Sequence, residues 1–139
     1  ANGQTGMVYT SSEGLDEMAP TGPVSIWEFS NGKVTESECD PTVELGLDKV
    51  TVADLKGGEP ELNAQLFRDF LAGKDVPFRT TALLNAASAI VADGHQVPAD
   101  ASLTERFKAA YAIAEETVDS GKASALLDQW ITAAQSKKA

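Results

Sequence analysis

The sequence predicts an α+β chain in which strands come first and helices follow. Three observations carry this reading. A β-prone stretch, Met7-Val8-Tyr9-Thr10, stands near the start. Asn31-Gly32 then separates two further β-prone runs, 24–30 and 33–39. Beyond Pro41, apolar residues recur at helical spacing between capping and breaking residues.

The elements follow in order. The stretch from Ala1 to Gly6 is polar and Gly-rich, without the basic and apolar regions of a signal peptide, and reads as a loop or a cut end. The first strand runs into the polar turn Ser11-Ser12-Glu13-Gly14, then Leu15-Asp16-Glu17. Asn-Gly favours a type I′ hairpin turn, because both central residues need positive φ. That turn sets a register with Phe29 opposite Val34 and Trp27 opposite Glu36. An isolated hairpin is marginal in water, so it should pack on neighbouring structure.

Thr51-Val52-Ala53-Asp54 has the form of a capping box, and Gly57-Gly58 limits any helix there to about two turns. Pro60 suits a first helical position, Leu62, Leu66 and Phe70 form a stripe with Phe67 and Leu71 beside them, and Gly73 stops the run. Leu83, Leu84, Ala87, Ile90 and Val91 make the next stripe, closed by Gly94. Ser102-Leu103-Thr104-Glu105 is a second capping box, opening a helix with Leu103, Phe107, Tyr111, Ala114 and Val118 on one side. Ser120-Gly121 breaks it, and Leu126, Leu127, Trp130, Ile131 and Ala134 mark the last helix.

The 139 residues fit one domain, with no repeat and no composition break. One cysteine, Cys39, excludes a disulfide within the chain and a Cys-rich zinc site. Eleven basic against 21 acidic residues leave a net charge of −10, which disfavours nucleic acid and anionic lipid as partners. The apolar runs are too short for a membrane span.

Asp16-Glu17 is the candidate site. Two hard oxygen ligands beside Gly14 suit Mg²⁺, which takes one or two carboxylates and fills its shell with water and phosphate. The alternative is a solvated acidic turn. His95 has no clustered partner and reads as a surface or helix-end residue. Cys39 ends a strand without a nearby histidine and reads as a small packed hydrophobe. Trp27, Phe29 and Trp130 read as core residues, and Glu115-Glu116 as a solvated helix face. No Gly-rich phosphate loop is present, and no residue is assigned a catalytic role.

Taken together, these blocks resemble anthranilate phosphoribosyltransferase. They run Gly14-Leu15-Asp16-Glu17-Met18, Thr21-Gly22-Pro23, Trp27-Glu28, Asp40-Pro41 and Gly46-Leu47. They continue through Asp54-Leu55-Lys56-Gly57-Gly58, Asn63, Ala82-Leu83-Leu84-Asn85-Ala86-Ala87 and Asp119-Ser120-Gly121-Lys122-Ala123. The order is kept across nearly the whole chain, and the combination is more specific than any one block. The resemblance implies an α/β fold, a mostly parallel sheet flanked by helices. Residues 1–139 would form the C-terminal portion of that domain, one core strand, an antiparallel hairpin and helices. The helical domain and the Gly-rich loop that cradles phosphoribosyl pyrophosphate (PRPP) would lie outside it.

The implied activity is a glycosyltransferase reaction of tryptophan biosynthesis, transfer of phosphoribosyl from PRPP to the anthranilate amine with release of pyrophosphate. Asp16 and Glu17 would hold Mg²⁺, the implied cofactor. The parent would be a cytoplasmic homodimer joined through the absent helical domain, without nucleic-acid or membrane partners, and this chain alone would be inactive. Removing the rest of the domain should also leave apolar faces exposed. A pyrimidine-nucleoside phosphorylase relative shares the architecture, but Asp-Glu followed by Thr-Gly-Pro favours the anthranilate enzyme. A non-catalytic binding relative of the same fold is a second alternative, whose nucleic-acid-binding form the acidic balance opposes, and an independent acidic interaction domain is a third.

Overall fold

The computed structural model describes residues 4–137, so part of the polar start, residues 1–3, lies outside it. Strands come first: β1 (Gly6–Ser11), β2 (Val24–Ser30) and β3 (Lys33–Cys39). Helices follow: α1 (Pro41–Glu44), α2 (Pro60–Leu71), α3 (Arg79–Asp93), α4 (Leu103–Asp119) and α5 (Lys122–Ser136). The chain divides into two compact units. One comprises Ala1–Lys56 with Pro77–Ala114, the other Gly57–Val76 with Glu115–Ala139.

In the first unit the strands form a sheet of order β1-β2-β3, antiparallel at both junctions. Phe29 faces Val34 and Trp27 faces Glu36, the register set by the Asn-Gly turn. Asn31 and Gly32 take φ of 51° and 74°, as a type I′ turn requires. The parallel pairing expected of the wider domain does not occur among the described residues. Parallel neighbours need a long crossover, generally helical, whereas β1 and β2 are joined by a helix-free loop that returns the chain antiparallel.

Alternation along the strands sends Val24, Ile26 and Cys39 into the core, where they meet Leu84, Ala87 and Val91 of α3 and Phe107 and Ala110 of α4. Gly94 ends α3 at φ 74°, its N–H donating to the Ile90 carbonyl. The second capping box forms as its spacing predicts: Ser102 N–H donates to Glu105 Oε2 at 2.9 Å and Glu105 N–H to Ser102 Oγ at 3.3 Å. The first box forms the same reciprocal bonds, Thr51 N–H to Asp54 Oδ2 at 2.8 Å and Asp54 N–H to Thr51 Oγ1 at 3.3 Å. It caps only an isolated turn, because no apolar stripe follows before Gly57-Gly58 to bury a longer helix.

Within the second unit α2 packs on α5. Phe70, Leu71, Val76 and Val118 are its buried apolar residues. Trp130, expected in the core, is 71% exposed, as are most of Leu126 and half of Leu62. Spacing alone placed these three on apolar stripes, and packing within the described residues covers only part of each stripe.

Candidate functional site

Asp16 and Glu17 lie on the loop 12–23 between β1 and β2, in the first unit. Its path is set by short-range bonds. Gly14 adopts φ 80°, a left-handed turn that glycine makes without steric cost. Gly14 N–H donates to the Ser11 carbonyl at 2.9 Å, Ser11 N–H to the Leu15 carbonyl at 3.2 Å, and Ser12 N–H to the Pro23 carbonyl at 3.0 Å. Thr21 ties the loop through its side chain: its hydroxyl donates to Glu13 Oε2 at 2.7 Å. That bond is the chief reason the Glu13 carboxyl sits below its usual range, followed by one from Ser12.

Two further side chains grip the backbone just beyond the acidic pair. Ser11 Oγ donates to the Glu17 carbonyl at 2.7 Å and accepts the Ala19 N–H at 3.4 Å. From α3, Asn85 Oδ1 accepts the Met18 N–H at 3.0 Å, and its Nδ2 donates to the Met18 carbonyl at 2.9 Å. Asn85 also accepts from the Tyr9 hydroxyl at 2.9 Å and donates to the Thr81 carbonyl at 2.8 Å. The Met18 side chain is fully buried and anchors the same point in the core.

The carboxylates themselves remain open. Asp16 and Glu17 are exposed, and neither side chain forms a hydrogen bond or ion pair among the described residues. Such uncommitted oxygens on a fixed loop fit a hard cation that needs few protein ligands. No group of three or more His, Cys, Asp or Glu that could hold a metal gathers among the described residues. An open groove of about 800 Å³ adjoins Glu17, walled by Leu15, Val52, Leu55, Phe78 and Ala82, with Lys56, Thr81 and Asn85 also lining it.

Trp27 and Phe29, expected in the core, are half-buried and outside it, because alternation along β2 gives the core face to Val24 and Ile26. The remaining candidates take the places predicted for them. His95 is exposed just after α3. Cys39 is buried, and desolvation, then the nearby Glu44 and Asp40 charges, push its thiol up to about 12. Glu115 and Glu116 are exposed on α4. What spacing did not reveal is the role of Asn85 and Ser11. The one available signal was an amide side chain set within the apolar run Leu83-Leu84-Asn85-Ala86-Ala87.

Residues 2–124 match the glycosyl transferase family, a/b domain, and the chain belongs to that family. Among its relatives, anthranilate phosphoribosyltransferase from Arthrobacter sp. (strain FB24) is 46% identical over 129 residues, covering 93% of this chain and 36% of that protein. The enzyme of the same name from Thermobifida fusca (strain YX) is 39% identical over 136 residues, covering 97% and 38%. Solved structures agree. Anthranilate phosphoribosyltransferase from Thermus thermophilus superposes with a TM-score of 0.75 at 29% identity, over 92% of this chain and 35% of that one. The Saccharomyces cerevisiae enzyme in complex with PRPP and Mg gives 0.76 at 25% identity, over 94% and 35%. The resemblance read from the sequence blocks is borne out, and the chain spans little more than a third of the length of these relatives. No helix among the described residues is long and apolar enough to cross a membrane.

Proposed function

We propose that this chain is the part of an anthranilate phosphoribosyltransferase that carries the Mg²⁺-binding acidic pair. In that enzyme the phosphoribosyl group of PRPP passes to the anthranilate amine, and pyrophosphate leaves. The observation that carries the reading is Asp16-Glu17, open and uncommitted on a tethered loop, in a chain 46% identical to an enzyme of that name. A relative solved with PRPP and Mg supports the choice of metal and substrate. The resemblance extends the proposal to a cytoplasmic, homodimeric parent in tryptophan biosynthesis.

Asp16 and Glu17 would hold the metal through their carboxylate oxygens, leaving its remaining positions to water and phosphate. Mg²⁺ bound there supplies Lewis-acid stabilisation of the negative charge that builds on departing pyrophosphate. The chain's own residues do the positioning. Ser11 and Asn85 hold the backbone behind the pair, and Gly14 turns the loop. An excess of ten negative charges repels both anionic substrates, so cationic groups from the rest of the parent enzyme have to reverse the local field.

Two measurements test this. Asp16→Ala with Glu17→Ala in the full-length parent should depress turnover at least a hundredfold at limiting Mg²⁺, and a wild-type rate would refute the metal reading. The chain alone, given PRPP, anthranilate and Mg²⁺, is expected to form no phosphoribosyl anthranilate, and measurable product would refute its dependence on the rest of the enzyme.

A further inference from the structure

Four successive backbone polar groups beside the acidic pair are each bonded to a side chain, and only two residues do this. Ser11 takes the Glu17 carbonyl and the Ala19 N–H; Asn85 takes the Met18 N–H and the Met18 carbonyl. Asn85 pairs with Met18 as one strand residue pairs with another, while remaining on a helix. Its two other bonds, to the Tyr9 hydroxyl and the Thr81 carbonyl, fix the carboxamide to β1 and α3. All four hydrogen-bonding positions of the amide are thereby used, which leaves one orientation for the side chain.

We propose that Asn85 and Ser11 are positioning residues that set where the Glu17 carboxylate stands for a divalent cation. The inference rests on the reading of Asp16-Glu17 as a metal pair. The physical reason is entropic and geometric. An exposed loop samples many backbone conformations, and ordering it on binding weakens affinity. Here the residue after Glu17 is already held from both sides, so its Cα cannot drift and only side-chain torsions remain to be ordered. Ser11 is 3% exposed and is the last residue of β1; Asn85 sits mid-helix on α3. Neither presents a ligand of its own, because every polar atom of the Asn85 amide is already engaged.

The test uses the ¹⁵N-labelled chain, with Mn²⁺ as the probe. Paramagnetic broadening of backbone amides detects weak sites, and hydrogen exchange at Met18 and Ala19 reads the clamp directly. Wild type should show broadening selective for residues 15–18, and Asp16→Ala with Glu17→Ala should abolish it. Asn85→Ala and Ser11→Ala should each weaken Mn²⁺ about tenfold. They should also accelerate exchange at least tenfold, at Met18 for Asn85→Ala and at Ala19 for Ser11→Ala. Ser11→Thr retains the hydroxyl and should keep both properties.

Val91→Ala, a core truncation in the same unit, should lower stability and leave Mn²⁺ affinity unchanged. Equal loss of affinity in Val91→Ala would reduce the effect to general stability and overturn the proposal. Wild-type Mn²⁺ affinity in Asn85→Ala with a deprotected Met18 amide would overturn it while leaving the metal reading intact. No selective broadening in wild type would sink the metal reading, and the positioning role with it. Should Asn85→Ala fail to fold, the Ser11 pair of variants decides the question from the opposite side of the loop.

Discussion

Replacing Arg106 by alanine is expected to destabilise the sheet-containing unit by about 2 kcal/mol. Arg106 on α4 donates through Nη1 to Glu28 Oε1 at 2.7 Å and through Nη2 to Glu28 Oε2 at 2.8 Å, a two-pronged contact between helix and β2. The magnitude follows from burial. An exposed ion pair contributes roughly 0–1 kcal/mol, because water and salt screen it. Breaking a fully buried pair costs about 3–5 kcal/mol, because one charge is stranded. These side chains are 19% and 21% exposed, which places the cost between those limits.

The stranded charge accounts for part of that loss, so a double-mutant cycle with Glu28→Gln should give a coupling of only about 1 kcal/mol. Urea unfolding measures it, and the midpoint temperature of Arg106→Ala should fall by about 8 °C at roughly 4 °C per kcal/mol. The argument predicts that Glu28→Gln partly rescues Arg106→Ala. A double variant whose loss equals the sum of the two single losses would refute it, since the fork would then carry no energy of its own.

The other predictions concern backbone, thiol and pH. Gly32→Ala should cost about 1 kcal/mol through backbone conformation alone, because φ is 74° and a Cβ there would meet nothing within 4 Å; unchanged urea stability would contradict this. Cys39, with its thiol pushed up to about 12, should be thiolate at pH 8 only on the order of 10⁻⁴ of the time. A disulfide reagent should therefore label it only after denaturation, and rapid labelling of the native chain would count against its burial. The carboxyls of Glu13, Asp40, Asp54, Asp69 and Glu105 all lie below their ordinary values, each chiefly through a side-chain hydrogen bond. A lowered folded-state value stabilises above the ordinary value and is lost as pH falls through the lowered one. Stability should thus be flat from neutrality to mild acid and fall below the ordinary Glu value of 4.5. A rise there would mean that relief of the ten-charge excess outweighs those bonds.

Local chemistry made much of the fold legible. Asn31-Gly32 prescribes its turn, and the turn prescribes the Phe29–Val34 and Trp27–Glu36 pairs, because two-residue hairpins leave no freedom of register. Gly94 and Ser102 mark helix ends for equally local reasons, a left-handed backbone and a hydroxyl acceptor. Thr51 and Asp54 were misleading for a related reason. A capping box satisfies the start of a helix but says nothing about whether enough apolar surface follows to sustain one. Trp130 shows the same limit from the other direction: a stripe at helical spacing identifies a face, and only the neighbouring elements determine whether that face is covered.

By itself the sequence determined the order of elements, the hairpin register, the acidic pair and the family. Each of these depends on residues close in the chain or on the order of short blocks. Tertiary structure alone decided that Asn85 reaches 67 residues back to hold Met18 from both sides. It alone decided that Arg106 grips Glu28 across 78 residues and that Asp16 and Glu17 stand open on a braced loop. Those features come from packing a helix against a sheet, and no spacing rule encodes which residues such packing will bring face to face.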